Sequence, residues 1–581
     1  MKSKLFLKAT FLFYLAFFFG LLSKAQAIDP MLNTLWDQNA PFNLKIPNGL
    51  KAGCGPIAVS QILNHYKAPT HGFGHVTLYN DLDYTTAESI DYNNILNRYQ
   101  QGDYNQTQAD AVANLVWHVG AAMTIKYDRG NNATENNRMI WGLQKYLHIS
   151  QKSRFRLRKF YSTEQWLNML DEQLASGHPV YYRGRAFRYK CDTTGIGHIF
   201  VIDGKNEKGE YHFNYGHAST SQDKFTSLNV INQSNGYYPG DYGVYYNWEQ
   251  GMATDLFPDE NFKDAEFNDY PLYLTEPLCL NKNKRLNEIT LAVGATFYLT
   301  MKLQVYNLDY ILQNGNNVGT WQVALGVYQD GKLKKIISSN QESEFSIRGS
   351  VTKTLSYNIP STLNNGVYDL CVVTRRSEGE SWKTVWDVAP NQMTAAIYNN
   401  TVNIKTMGNH TLETNLYLLE EIKDVGDVGG TYPGRLFSLK IKNPSDNNFE
   451  NKIKLDVISK GINRASYEQM SSVYSDCEVE YRLLIPNEVF DFTRNNDYTI
   501  KTSYYEHNSG EYINLTTDVP IIGQPKGDVN GDMVVDVADI ASVIDVMAKG
   551  ETDAAADMNA DGVVDVADIA TIISIMASSA K

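Results

Sequence analysis

The chain has 581 residues, which at roughly 100–200 residues per domain makes about three to five domains. With 43% hydrophobic and 20% charged residues, it has the composition of folded domains rather than of a disordered chain. A net charge of −13 argues against a nucleic-acid partner, which calls for a basic face.

Residues 1–27 read as a signal peptide. The basic stretch MKSKLFLK precedes the apolar run ATFLFYLAFFFGLL, and Ala25-Gln26-Ala27 forms a small-x-small cleavage site. The mature chain is expected to start at Ile28 and to be secreted, extracellular or bound at the cell surface. No later apolar run of about 20 residues occurs, so no membrane span is expected after cleavage. The five cysteines are Cys54, Cys191, Cys279, Cys371 and Cys477; their odd number and the lack of a CxxC do not make a disulfide framework or a cysteine zinc site.

Residues 28–270 mix helical and strand patterns and hold most of the histidines. In AGCGPIAVSQILNHYKAP (52–69), Pro56 suits a helix start, and Ile57, Ile62, Leu63 and Tyr66 recur at helical spacing up to a stop before Pro69. Cys54 then lies at a helix N-terminus, where amides and dipole lower a thiol pKa. It is either a nucleophile or a buried structural cysteine. Downstream, PVYY (179–182), GHIFVIDG (197–204) and YHFN (211–214) read as neighbouring strands. His198 opens one of them after a glycine and could take the proton of Cys54, and Asn214 on the next strand could hold the imidazole in one tautomer. Upstream, WDQNAPFN (36–43) offers Gln38 as an amide donor to an oxyanion.

Together, WDQNAPFN, AGCGPIAVSQILNHYKAP, PVYY, GHIFVIDG and HFNYGH resemble the streptopain family of papain-like cysteine peptidases, with weaker matches in DYNNILNRY and ADAVANLVWHVGAAM. The resemblance implies an α+β papain-like fold with a helical half bearing Cys54 and a β half bearing His198. It maps the nucleophile to Cys54, the base to His198, the oxyanion donor to Gln38, and the imidazole support to Asn214 with Tyr215. It also implies protein or peptide substrates, a bulky apolar residue two positions before the cleaved bond, and no cofactor for catalysis. The family's Trp-Gly-Trp reads Tyr215-Gly216-His217 here, Gly55-Pro56-Ile57-Ala58 replaces its Val-Ala-Thr-Ala, and an insert, AFRYKCDTTGI, carries Cys191 ahead of His198. The peptidase motifs begin soon after the expected cleavage site, which leaves regulation to another device such as a separate protein inhibitor.

Residues 271–405 and 406–524 show period-two stretches such as TFYLTMKLQVY and WQVALGVYQDGKLKKII, broken by Asp-Gly or Asn-Asn turns. They predict two all-β modules of the Ig-like sandwich type, acting as spacers or accessory binding modules. Cys279, Cys371 and Cys477 fall on their strands and read as buried apolar residues.

Residues 527–581 hold a repeat: DVNGDMVVDVADIASVIDVMA returns from Asp528 to Asp557 as DMNADGVVDVADIATIISIMA. Each copy spaces oxygen ligands at loop positions 1, 3, 5, 7, 9 and 12, as calcium loops do. The first gives Asp528, Asn530, Asp532, the carbonyl of Val534, Asp536 and Asp539; the second gives Asp557, Asn559, Asp561, the carbonyl of Val563, Asp565 and Asp568. Two Ca2+ are expected, and like-charge repulsion among the carboxylates should loosen the segment in chelator. The repeat resembles a type I dockerin, a small α-helical calcium-loop domain, which implies a cohesin-bearing scaffold or a cell-surface partner. Two readings of the whole chain follow: a secreted cysteine endopeptidase acting through a Cys54 thioester, or a catalytically inactive adhesion protein on a peptidase scaffold. An amidase or transpeptidase with the same triad is a third.

Overall fold

The computed structural model describes residues 27–581 except 77–81, 87–88, 128–135, 187–195, 219–223, 230, 234–243, 281–285, 306–319, 340–343, 347–349, 409–413, 429–432, 493–496, 508, 518–528, 531–534, 536, 550–555, 557, 559–562 and 580–581. One compact unit takes in the chain up to Thr414 together with Leu419–Leu515; a second comprises Asn415–Leu418 and the chain from Thr516.

The first part of the larger unit pairs a helical half with a sheet. Helices α1 (Cys54–Tyr66), α2 (Gln106–Ala122) and α3 (Asn136–Leu147) pack around Ile57, Ile62, Val112, Leu115, Val116, Met139 and Leu143, all buried. A capping box of Asn105 with Gln108 starts α2 by pairing two otherwise orphaned amides. The sheet is antiparallel, built from β1 (Arg154–Leu157), β2 (Val180–Ala186), β3 (Ile196–Lys205), β4 (Tyr211–Asn214), β5 (Lys224–Thr226) and β6 (Trp248–Thr254) in the order β1-β6-β2-β3-β4-β5. Helix α4 (Thr163–Ala175) covers one face through Trp166, Leu170 and Leu174. Helix α1 is buried along almost its whole length, Ser60, Gln61 and Asn64 included, rather than on the single apolar stripe that its spacing suggests. It runs between the helical half and β3, so both its faces meet protein.

Residues 272–404 form a two-sheet β region with one core. Strands β7 (Thr296–Val305) and β9 (Ser350–Asn358) pair in one sheet, β8 (Thr320–Gln329) and β10 (Gly366–Arg375) in the other. Leu299, Met301 and Leu303 of β7 share a core with Val323, Leu325 and Val327 of β8, the alternation that period two requires. A further β region follows. β11 (Gly434–Lys442) pairs with β14 (Glu478–Pro486), and β12 (Phe449–Ser459) lies between β13 (Ile462–Val473) and β15 (Thr499–Glu506). Cys477 is buried there, Cys279 and Cys371 are half-buried thiols not joined by a bridge, and Cys191 lies outside the described residues.

In the C-terminal unit, helices α5 (Val537–Lys549) and α6 (Val566–Ser579) follow the two loops and enclose Val543, Ala556 and Ile572. No helix among the described residues is long and apolar enough to cross a membrane.

Candidate active site

Cys54 opens α1 directly after Gly53, whose φ of 92° lies outside the range L side chains readily adopt. That glycine lets the chain turn sharply into the helix. The first helical bond runs from the Ile57 amide to the Gly53 carbonyl, so Pro56 sits in a turn where no amide is needed. Helix α1 ends at Lys67, which has a left-handed φ of 56°.

The backbone amides of Ile199, Gly55 and Cys54 itself bear on the Cys54 sulfur. All three favour a thiolate, yet burial outweighs them and the thiol is pushed up from its ordinary value. The lowered pKa expected from the helix terminus alone is thus not what this environment gives: desolvation of the sulfur exceeds the amide contribution. The next residue's Cα hydrogen faces Met123, Ile199 and the Tyr181 hydroxyl, so the wall at Gly55 is closely packed.

His198 lies on β3, one residue before the Ile199 amide that meets Cys54. The strand thereby places His198 next to a residue whose amide faces the thiol. His198 Nε2 is 3.0 Å from the Tyr215 carbonyl oxygen. A carbonyl only accepts, so Nε2 carries the proton and Nδ1 is left as the basic atom. Burial pulls the imidazole down to about 3, with His217 acting in the same direction and the Tyr215 carbonyl opposing. The ring stacks on His217 at 4.8 Å and 12°, and Tyr246 packs against it at 5.4 Å.

The resemblance maps the imidazole support to Asn214 with Tyr215; here the Tyr215 carbonyl meets the ring, and the Asn214 side chain bonds elsewhere. Asn214 Nδ2 donates to the Thr34 carbonyl (2.8 Å), and its Oδ1 accepts from the Gly216 amide (3.1 Å). The second bond closes a turn around Tyr215, so Asn214 acts one step removed: it orients the neighbouring carbonyl that holds His198. Gly216 completes the turn with φ 65°, and its Cα lies against Ile57 of α1.

The backbone of Gln38 is tied to the stretch just before Cys54. Its carbonyl accepts from the Ala52 amide (2.9 Å), two residues before Cys54, and its amide bonds the Asp37 carboxylate (2.6 Å). Trp36 is fully buried, donates to the Leu96 carbonyl, and accepts the Ala218 amide just past His217. One short segment thus touches both the cysteine turn and the histidine side of the site. The N-terminal strap Ile28–Leu32 secures the far end of β3. Ile28 pairs with Lys205, and the buried Asp203 bridges the Leu32 amide and His212 Nδ1, each at 2.7 Å.

Sequence reasoning missed the Ile199 amide, the Tyr246 ring and the His217 stack. Only His217 had a local signal, as a departure from the family motif; Tyr246 is far along the chain and reaches His198 by tertiary folding alone.

Among the calcium-loop residues, Asp528, Asp532, Val534, Asp536, Asp557, Asn559 and Asp561 lie outside the described residues. Asp539 and Asp568 are fully buried and play matching parts: Asp539 Oδ1 accepts from the Val529 and Asn530 amides, and Asp568 accepts from the Met558 and Asp565 amides. Each folds a carboxylate back over the start of its own loop. With Asn530, Val563 and Asp565 the donors are all oxygens, the chemistry that suits a hard cation.

The peptidase C10 family profile matches residues 36–225, and the dockerin type I profile matches residues 526–576. The chain is 27% identical over 248 residues to the thiol protease/hemagglutinin PrtT of Porphyromonas gingivalis, covering 40% of this chain and 27% of that protein. It is 26% identical over 225 residues to streptopain of Streptococcus pyogenes, covering 34% of this chain and 54% of that one. Among solved structures, the active wild-type interpain A cysteine protease of Prevotella intermedia aligns at 27% identity and a TM-score of 0.36, over 40% of this chain and 97% of its own. The matches thus span about a quarter and about half the length of the two curated relatives. Residues 36–225 are a peptidase C10 family domain, carried on the same chain as a type I dockerin domain.

Proposed function

We propose that this chain is a secreted cysteine endopeptidase in which Cys54 is the nucleophile and His198 the general base and acid. The observation that carries the reading is the convergence on one end of α1: the Cys54 sulfur meets the amide next to His198, and His198 is held with Nδ1 basic. Burial favours the neutral thiol and neutral imidazole at rest. Proton transfer from Sγ to Nδ1 then accompanies attack on the substrate carbonyl carbon. The tetrahedral oxyanion is stabilised by the Cys54 amide and the Gln38 side chain. Collapse breaks the C–N bond, His198 returns its proton to the leaving amine, and a Cys54 thioester remains. Water, deprotonated by His198, hydrolyses that thioester and restores the thiol.

The dockerin loops would hold two calcium ions through Asp528, Asn530, Asp532, Val534, Asp536 and Asp539, and through their counterparts from Asp557 to Asp568. Calcium would neutralise the clustered carboxylates and order the loops for a cohesin-type partner on a scaffold or cell surface. The likeness to thiol proteases favours this reading over an inactive adhesion protein.

Labelling the chain from Ile28 with a tagged epoxysuccinyl peptide tests it. We expect rapid modification of the native chain and none of Cys54→Ala, whose melting midpoint should stay close to native. Chelator should loosen the C-terminal unit without slowing the labelling. A folded native chain that resists the reagent and cleaves no peptide would reject the peptidase reading.

A further inference from the structure

Strand β6 contains a bulge. Trp248 faces Arg185 on β2, but Gly251 faces Arg183, so three steps on one strand match two on the other. Glu249 within it has a φ of 46°, a left-handed conformation on a non-glycine residue. A bulge takes amides out of the ladder, and buried amides need partners. Here the partners come from the β region over 434–506. The Glu249 amide donates to Glu450 Oε1 (3.2 Å), and the Gln250 amide donates to the Tyr474 hydroxyl (3.3 Å), which in turn donates to the Asn247 carbonyl (3.5 Å).

Both partners are held firmly. Tyr474 is 1% exposed, and the Arg158 guanidinium lies 4.0 Å over its ring. Arg158 donates to Gln250 Oε1 (2.7 Å), and Glu450 also receives the Ser472 hydroxyl (3.3 Å). Asn448 Nδ2 donates to the carbonyls of Arg158, Lys159 and Tyr161, which ties the two regions together along a whole turn.

The bulge also bears on the catalytic histidine. Tyr246, one residue before Asn247, packs its ring on His198. Its backbone fills the space beside Gly184, the residue paired with His198 across β2 and β3. A chain of contacts thus runs from Tyr474 and Glu450 through residues 247–250 to Tyr246 and His198.

We infer that the β region bearing Glu450 and Tyr474 is a positioning element of the active site, completing the β6 bulge so that Tyr246 holds the His198 ring in register with Cys54. The inference rests on the peptidase reading given above. Glu450 and Tyr474 touch neither substrate nor reacting atoms; they are positioning residues.

The test uses the full chain from Ile28 and three variants. Tyr474→Phe keeps the ring over Arg158 and removes only the hydroxyl. Glu450→Leu removes the acceptor for the Glu249 amide, and Glu450→Gln keeps one. Displacing a catalytic group by a fraction of an ångström costs rate rather than binding, so Tyr474→Phe and Glu450→Leu should slow Cys54 labelling and kcat roughly three- to tenfold with KM unchanged. Glu450→Gln should restore most of the rate, and the acid limb of the pH profile should move in the two impaired variants. If Tyr474→Phe fails to fold, the Glu450 pair decides alone. Native labelling rate and kcat in folded Tyr474→Phe and Glu450→Leu would overturn the inference, as would a lower melting midpoint with kcat of the folded fraction unchanged. A native chain that does not label at all would remove the peptidase reading and this inference with it, whereas normal labelling in every variant removes only the latter.

Discussion

At the residue scale, burial holds His198 neutral, and His217 stacked on it acts in the same direction. His217 is half-buried, with Asp37 and Lys51 as the charged groups that bear on it and Tyr215 and Tyr246 as the other titratable rings around His198. Burial is the main reason His198 stays neutral to lower pH than an isolated imidazole, and a proton on His217, which opposes one on His198, adds to it. Replacing His217 by Phe keeps a ring in the stack and removes its charge. The acid limb of kcat/KM should then move to higher pH, with the plateau little changed. Measured profiles that superimpose would show that His217 does not tune the base.

At the element scale, β2 and β3 can carry the site only because Gly184 stands opposite His198. A Cβ there would lie 2.2 Å from the Tyr246 carbonyl oxygen and 2.8 Å from its Cβ, and backbone cannot swing aside as a long side chain can. We expect Gly184→Ala to push the Tyr246 segment off His198, destabilising the fold by about 1–3 kcal/mol in denaturant titrations and lowering kcat. Unchanged stability and rate would mean that the Tyr246 backbone yields freely. The strand pattern itself was legible in PVYY and GHIFVIDG. What it could not reveal is which face each strand turns to which neighbour, because period two fixes alternation and leaves the partner open. The imidazole support, expected at Asn214 with Tyr215, comes through the Tyr215 carbonyl, a backbone contact that no side-chain pattern can show.

At the scale of the whole molecule, the peptidase domain and the two β regions form one compact unit, joined by charge-assisted and buried contacts. Arg156 meets Asp387 through two nitrogens at 2.8 and 2.9 Å, and Asn448 caps three carbonyls of the peptidase domain. This unit buries several imidazoles as neutral rings: burial lowers His118 to about 4 and His198 to about 3. Unfolded, both return to about 6.5. Below that pH the unfolded chain binds protons that the folded chain does not. Stability is therefore full above about 6.5 and falls as pH drops, by up to roughly 1.4 kcal/mol per pH unit for each histidine until its folded pKa is reached. Urea midpoints at pH 7 and pH 5 should show the loss, and replacing His118 by Gln should reduce it.

By itself the sequence determined the local chemistry: a cysteine at a glycine-led helix start, a histidine near the start of a strand, a duplicated acidic loop, and β patterning between them. These are legible because capping, alternation and ligand spacing act over a few residues. Only the tertiary structure decided that burial outweighs three amides at Cys54, that a backbone carbonyl holds His198, and that the β regions close on the peptidase domain and supply partners for its bulge. Those outcomes depend on desolvation and on contacts between residues hundreds of positions apart, and neither is encoded in any short stretch of chain.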